Sequence, residues 1–403
     1  MDNTLLGLRN RRPGRIRPEL GPLRAALGRL GDPHLAQPSI LIVGTNGKGS
    51  TAAMLEAILE AHGITTGLTT SPHLVSVEER IRINGRPIDR AVFETHLDRL
   101  APETDLTFFE TITGAAFLAF AQAGVGVAIL EAGMGGSWDA TRVAGSRIAG
   151  ITNVGSDHAD WLGEDVMDRA HDKGAPLRSA EWAVLGPGLS AEVLPAIAAP
   201  HAVTAGDLVD VQGSGEGGAR VSWETNDLEL DLPLAGEHQL ANLHLALALA
   251  ICAEKAGLIS GLDPAAVVRG LKKVSWPGRL SQIHIGDRTV LLDGAHNLEG
   301  AEALAAELGR RPERHNLLFS CLDDKPLEAM GRVLSPVVGR IAVCELTDPR
   351  AMPIGRLLAA FPLAEPVPDL KAGVDSLDDP VVAAGSLRLV GRLLELAGEG
   401  AIS

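Results

Sequence analysis

Tyrosine is absent from this chain, and with seven phenylalanines and five tryptophans the aromatic share is only 3%. That scarcity argues against the stacked aromatic platforms on which proteins hold single-stranded nucleic acid. Positive charge is also short: 36 Lys and Arg face 51 Asp and Glu, a formal net charge of -15, which disfavours nucleic acid and anionic membrane as partners. Any anionic ligand must therefore be held by local design. The three cysteines, Cys252, Cys321 and Cys344, are odd in number and widely scattered, so neither a disulfide framework nor a thiolate zinc site is expected. A reducing, cytoplasmic setting fits best. No apolar run reaches membrane-spanning length, and the N-terminus lacks the apolar core of a signal peptide. Its Arg9, Arg11, Arg12, Arg15 and Arg17 imitate a transit peptide in charge, but Pro13, Pro18 and Pro22 interrupt any early helix, and a solvated arm is expected. There is no internal repeat and no Asn-Lys-x-Asp guanine signature.

What is present is an organising stretch, Ile40-Leu41-Ile42-Val43-Gly44-Thr45-Asn46-Gly47-Lys48-Gly49-Ser50-Thr51, followed by a helical pattern to about His62. A β-branched run ends at glycines, and a lysine and two hydroxyls then open a helix. Backbone N–H groups, the helix dipole and one ammonium converge there, an arrangement suited to polyphosphate. The fit to GxxxxGK[ST] is imperfect, since Ile42 replaces the first Gly and Gly49 separates Lys48 from Ser50. The bland alternative is a tight strand-to-helix turn with a solvated lysine.

At 403 residues and 42.1 kDa the chain exceeds what one core usually supports, so two domains are expected. A short helix over about 23–30 precedes the strand Ser39 to Val43. A second β-rich run ends at Thr70-Ser71-Pro72-His73-Leu74, and Glu79 to Gly85 approaches an Asn-Gly turn. Thr107-Phe108-Phe109-Glu110 opens a small-residue helix, after which Val125 to Leu130 is a buried strand delivering Glu131. A carboxylate there, before a glycine-rich loop, resembles the acidic partner that a P-loop enzyme offers to Mg²⁺; the alternative is a turn cap. The strand Ile148 to Asn153 leads to Asp157 and His158. Lys173, after an acidic helix, would ordinarily be a solvated helix end. A small β excursion is expected over about 201–231, then a long apolar helix to about Ala256 and another from Asp263-Pro264 to about Leu271. Ser275-Trp276-Pro277-Gly278-Arg279 reads as a linker, beyond which strands and helices alternate in a second, smaller parallel α/β unit. Its Leu291-Leu292-Asp293-Gly294-Ala295-His296-Asn297 sits at a strand end, where ligands collect.

These residues together resemble the folylpolyglutamate synthase and dihydrofolate synthase family of the Mur ligase superfamily. The carriers, besides those already quoted, are Glu131 through Thr141, Ile151 through His158, Gly236-Glu237-His238-Gln239 with Asn242, and the C-terminal Gly385-Ser386-Leu387. The resemblance implies an α/β fold, with an N-terminal P-loop parallel-sheet ATPase domain over 1–275 and a smaller C-terminal Rossmann-like glutamate-ligase domain over 279–403. It implies an ADP-forming ligase that joins L-glutamate to a pterin carboxylate, dihydropteroate or tetrahydrofolate, through an acyl phosphate. Thr45, Asn46, Gly47, Lys48, Gly49, Ser50 and Thr51 would hold ATP together with Asn242, Arg279, Asp293 and His296, the nucleotide lying between domains. Two Mg²⁺ ions would be held by Ser50 with Glu131 and by Ser71 with His158; which of Ser50 and Thr51 faces the metal stays open. Lys48, His158 and Lys173 would serve catalysis, Lys173 as the carbamylated lysine of the family. A monomer is the family default.

Two departures stand out, the first bearing on the carbamylation of Lys173 and the second on the acyl substrate. The family's Lys-Ala-Gly-Ile appears as Lys173-Gly174-Ala175-Pro176, and its Gly-Gly-Arg-Leu-Asp-Ala-Thr-Asn as Gly135-Gly136-Ser137-Trp138-Asp139-Ala140-Thr141-Arg142. The Ser137, Trp138 and Arg142 changes motivate a second reading, a paralogue that activates a different carboxylate; a non-catalytic nucleotide-binding member is the third, against which every residue of the inferred metal set is intact.

Overall fold

Ser39–Val43 forms β1, and all five of its residues are buried. A strand covered on both faces needs such a continuous apolar run. The structure, a computed structural model, describes residues 8, 18–157, 159–215 and 217–398; the arginine cluster 9–17 and His158 lie outside them. With β1 run β2 (Thr66–Thr69), β3 (Ile81–Ile83), β4 (Arg86–Pro87), β5 (Val127–Glu131), β6 (Ile148–Ile151), β7 (Trp182–Leu185) and β8 (Val203–Thr204). Their order is β4-β3-β2-β5-β1-β6-β7-β8. The six strands from β2 to β8 across the sheet are parallel, and β3 with β4 adds an antiparallel edge. Because β5 and β6 flank β1, the chain leaving all three emerges along one sheet edge, where ligands of parallel sheets bind.

Local chemistry accounts for several boundaries. The β3–β4 turn places Asn84 at φ 48 and Gly85 at φ 71, the left-handed pair that a two-residue hairpin requires. The helix Phe108–Ala123 starts at a capping box: the Thr107 hydroxyl accepts from the Glu110 N–H, and the Glu110 carboxylate accepts from the Thr107 N–H. Pro22, expected to interrupt a helix, instead sits in the first turn of Gly21–Arg29, where its missing N–H costs nothing. The β excursion is a three-stranded antiparallel sheet of β9 (Asp210–Gly213), β10 (Gly218–Trp223) and β11 (Asn226–Asp231), in the order β11-β10-β9.

The chain divides into two compact units. The first runs to His73 and continues through Val77–Pro233 and Gln239–Val274; the second takes Leu74–Ser76, Leu234–His238 and Ser275 onward. In the second unit β12 (Arg279–Ile285), β13 (Arg288–Asp293), β14 (Asn316–Phe319), β15 (Ile341–Val343), β16 (Glu365–Pro366) and β17 (Val381–Ala384) make a sheet ordered β12-β13-β17-β14-β15-β16. It is mixed rather than wholly parallel, because the short Gly286 turn at φ 58 folds β13 back antiparallel on β12. Leu317 and Phe319 pack into one apolar cluster and Leu318 into another, so both faces are covered. The helices Ile354–Ala360 and Leu370–Ser376 and the strand β16 join those foreseen from the pattern. Among the described residues no helix is long and apolar enough to cross a membrane.

Candidate active site

The turn from β1 into the helix Lys48–Ala61 needs Gly44 at φ 140 and Gly47 at φ 84. Space demands them too: a Cβ on Gly44 would lie 1.9 Å from Thr152 Oγ1, and one on Gly47 would lie 2.1 Å from Asn242 Oδ1. Asn242, from the helix His238–Lys255, is thereby placed against the loop, its Nδ2 donating to Gln239 Oε1 at 2.8 Å. The residues after β6 brace the other side. Asn46 N–H donates to Asn153 Oδ1 (2.9 Å), Thr152 Oγ1 and Asn153 Nδ2 donate to Asn46 O (2.7 and 3.1 Å), and Gly155 N–H donates to Thr45 Oγ1 (2.8 Å). Thr152 and Asn153 were legible in the sequence only as a strand end.

Lys48 folds over its own loop, Nζ donating to Gly44 O at 3.1 Å and Thr45 O at 3.0 Å. Next in the chain, the Ser50 and Thr51 hydroxyls, both buried, have no hydrogen-bond partner among the described residues. Leaving a buried hydroxyl unpaired costs about 1–3 kcal/mol, a cost that a ligand or cation can remove. On the neighbouring strand, Glu131 pairs in register with Ile42, and its Oε2 accepts from Ser71 N–H at 3.1 Å. Ser71 and Glu131 are therefore together, beside the strand that feeds the loop.

The glycine-rich segment after Glu131 is held by two aspartates. Asp139 accepts from Gly133 N–H (2.8 Å), Met134 N–H (3.0 Å), Thr141 N–H (3.0 Å) and Thr141 Oγ1 (2.5 Å), while burial pushes its carboxyl above the usual range. Asp172 Oδ2 accepts from Gly136 N–H at 2.8 Å. Arg142, one of the departures, donates from Nη1 to Ser137 O at 2.6 Å.

Lys173 departs from the expectation of a solvated helix end. It lies inside the helix Val166–Ser179, 1% exposed, with Nζ donating to Gly44 O at 3.2 Å. Pro176 continues that helix without an N–H for Asp172 O, which accepts instead from Ser137 Oγ at 3.3 Å. Burial, with the Lys48 ammonium adding to it, lowers Lys173 to about 7, against the opposing pull of Asp172 and Asp157.

In the second unit, Arg279 and Asp293 are cross-strand partners on β12 and β13. Asp293 is buried and accepts from Ala295 N–H (2.8 Å) and Leu280 N–H (3.3 Å); Arg279 Nη1 donates to Gly278 O (2.9 Å). Burial raises the Asp293 carboxyl, opposed by Arg279 and His238, and burial lowers His238, opposed by Asp293. His296 Nδ1 bonds Gly294 O at 2.7 Å. His238 thus joins Arg279 and Asp293, a partner the sequence offered only as part of a motif.

Divalent cation chemistry fits the first unit's edge. Among the described residues no group of three or more His, Cys, Asp and Glu could hold a metal by itself. Mg²⁺, however, binds through one or two carboxylates with waters and phosphate oxygens, and Glu131 with two unpaired hydroxyls is such a donor set.

A Gly-Lys loop between a buried strand and a helix, an acid at the next strand's tip, and a second α/β unit define a ligase of the Mur type. The pattern of the Mur ligase middle domain matches residues 42–173, and that of the Mur ligase glutamate ligase domain matches residues 278–390. The dihydrofolate synthase/folylpolyglutamate synthase of Mycobacterium tuberculosis is 35% identical over 93% of this chain and 83% of its own length. The solved E. coli FolC in complex with DHPP and ADP superposes with a TM-score of 0.87 at 27% identity, covering 98% of this chain and 96% of that one. A solved bifunctional folylpolyglutamate synthase/dihydrofolate synthase with Mn, AMPPNP and L-glutamate bound gives 0.84 at 28%, covering 97% and 96%. The chain belongs to the folylpolyglutamate synthase/dihydrofolate synthase family, and is an ATP-dependent, ADP-forming glutamate ligase.

Proposed function

We propose that this ligase extends a pterin carboxylate, dihydropteroate or tetrahydrofolate, by one L-glutamate, using the first unit's open sheet edge to hold the ATP phosphates. The observation that carries the reading is the pair of buried hydroxyls on Ser50 and Thr51, unpartnered among the described residues, directly after a glycine turn whose lysine bonds its own loop. A carboxylate is a poor electrophile, so its oxygen first attacks the terminal phosphorus of ATP and ADP leaves. The glutamate amine then attacks the acyl carbon, phosphate leaves, and the amine gives up its proton.

In this assignment the N–H groups of residues 45–49 and the Lys48 ammonium receive the phosphates; Asn242, Arg279, Asp293 and His296 serve the nucleotide. Two Mg²⁺ ions, assigned to Ser50 or Thr51 with Glu131 and to Ser71 with His158, would supply Lewis-acid neutralisation of phosphate oxygens. Lys173 is assigned as a carbamate. Its amine, brought to about 7 by burial and by Lys48, is largely neutral in mildly alkaline solution and can bond CO₂, releasing a proton and turning a neutral amine into an anion. The chain is further assigned as cytoplasmic and monomeric, with no nucleic-acid or membrane partner.

The test is mass spectrometry of products from ATP, Mg²⁺, L-glutamate and a panel of acids. A product one glutamate heavier than dihydropteroate or tetrahydrofolate is expected. Phosphate release with another acid alone would favour a different acyl substrate, the direction in which Ser137, Trp138 and Arg142 point.

A further inference from the structure

Arg169 is buried on the helix Val166–Ser179, one turn before Lys173, and belongs to none of the groups assigned above. Its acceptors are three carbonyls. Nε donates to Gly155 O at 2.8 Å, and Nη1 donates to Gly163 O at 2.8 Å and Glu164 O at 2.7 Å. One guanidinium therefore ties together both ends of the segment 155–164. The same Gly155 peptide unit that Arg169 holds by its carbonyl offers its N–H to Thr45 Oγ1, in the phosphate loop, at 2.8 Å. Lys173, on the same helix, bonds Gly44 O at 3.2 Å.

We infer that Arg169 is a positioning residue that couples the phosphate loop to the segment 155–164 through the chain Thr45, Gly155, Arg169, Gly163 and Glu164. The two ends of the segment, at Gly155 and at Gly163–Glu164, are held by one rigid, planar donor, and a movement of Thr45 reaches that donor through the Gly155 peptide. Nucleotide arriving at residues 44–49 thereby orders the segment next to it. The inference rests on the reading that nucleotide binds that loop. A lysine at 169 has one point charge instead of a fork and cannot serve both ends of the segment together.

The test is hydrogen exchange of the whole protein, with and without AMPPNP and Mg²⁺, for wild type, Arg169→Met and Arg169→Lys. In wild type, nucleotide should slow exchange both in the helix Lys48–Ala61 and over 155–164, the latter by about tenfold, within the range that coupling between sites ordinarily spans. In both variants the helix should keep its protection while the segment loses it. Retained segment protection in Arg169→Met, or wild-type protection confined to the helix, overturns the coupling. Faster exchange across the whole first unit in both variants also overturns it, making Arg169 a fold-stabilising residue only. Loss of helix protection in wild type itself would instead remove the nucleotide assignment on which the inference rests.

Discussion

At the carboxyl end of β1 the first unit leaves hydroxyls short of partners among the described residues, whereas at the end of β13 the second unit lets its groups satisfy one another. Among the described residues, Ser50 and Thr51 are buried with unpaired hydroxyls; Lys48 bonds carbonyls of its own loop, and the buried Lys173 amine donates to Gly44 O. Asp293, equally buried, has two backbone donors, and Arg279 and His238 oppose its charge. The second unit is not free of unpaired buried atoms: the Ser320 hydroxyl and Arg311 Nε are examples, neither of them on β13. A site that must receive a tetra-anion and metals is better left incomplete in the free protein, because every partner it already has must be given up on binding. A site whose charges must keep a fixed orientation is better neutralised from within.

Substitutions can break this contrast. Lys48→Ala should cost most, roughly 1,000-fold in kcat/KM for ATP, with the circular dichroism spectrum unchanged, since it removes the ammonium proposed to receive the phosphates. Glu131→Gln should lower kcat by about 100-fold and raise the Mg²⁺ concentration needed for half-maximal rate. Separate Ser50→Ala and Thr51→Ala variants would then show which hydroxyl shares that metal dependence. Asp293→Asn should act on stability, by about 2 kcal/mol in denaturant titration, because it leaves Arg279 and His238 without their carboxylate.

Smaller effects sharpen the comparison. Removing CO₂ from the buffer should reduce the rate by about tenfold, with bicarbonate restoring it. Recovery should be faster above about pH 7, where the Lys173 amine is mostly neutral, and Lys173→Met should be insensitive. The smallest effect belongs to Glu56, on the phosphate-loop helix, whose carboxyl is raised to about 7 by burial, with Arg82 opposing and Glu60 adding. A raised carboxyl binds its proton more tightly folded than unfolded, so its contribution is full below about pH 4.5 and is lost as pH rises toward 7. Glu56→Gln should accordingly gain about 1 kcal/mol relative to wild type between pH 5 and pH 8, read from thermal melts.

The parts legible in the sequence were those encoded locally. The continuous apolar β1, the Gly44 to Ser50 turn, the Asn84-Gly85 hairpin, the Thr107-Glu110 cap and Glu131 at a strand tip each announce themselves within a few residues. What escaped was set by packing at long range. Lys173 read as a solvated helix end because it follows an acidic helical stretch; the helix instead runs on through Pro176, with Asp172 O accepting from the Ser137 hydroxyl, 39 positions before that proline. The bracing of the loop by Thr152 and Asn153, and the clamp made by Arg169, join residues far apart in the chain and carry no periodic signal. The second unit's β12 read as one more parallel strand because alternation of apolar residues does not record direction.

The most direct measurement is calorimetric titration of AMPPNP with Mg²⁺ into wild type, Lys48→Ala and Ser50→Ala, without acyl substrate or glutamate. Binding weakened by about 100-fold in Lys48→Ala, together with loss of the Mg²⁺ dependence in Ser50→Ala or in a parallel Thr51→Ala, is the predicted result. Wild-type affinity in Lys48→Ala, with Mg²⁺ dependence intact in both hydroxyl variants, would contradict a phosphate and metal site at the end of β1.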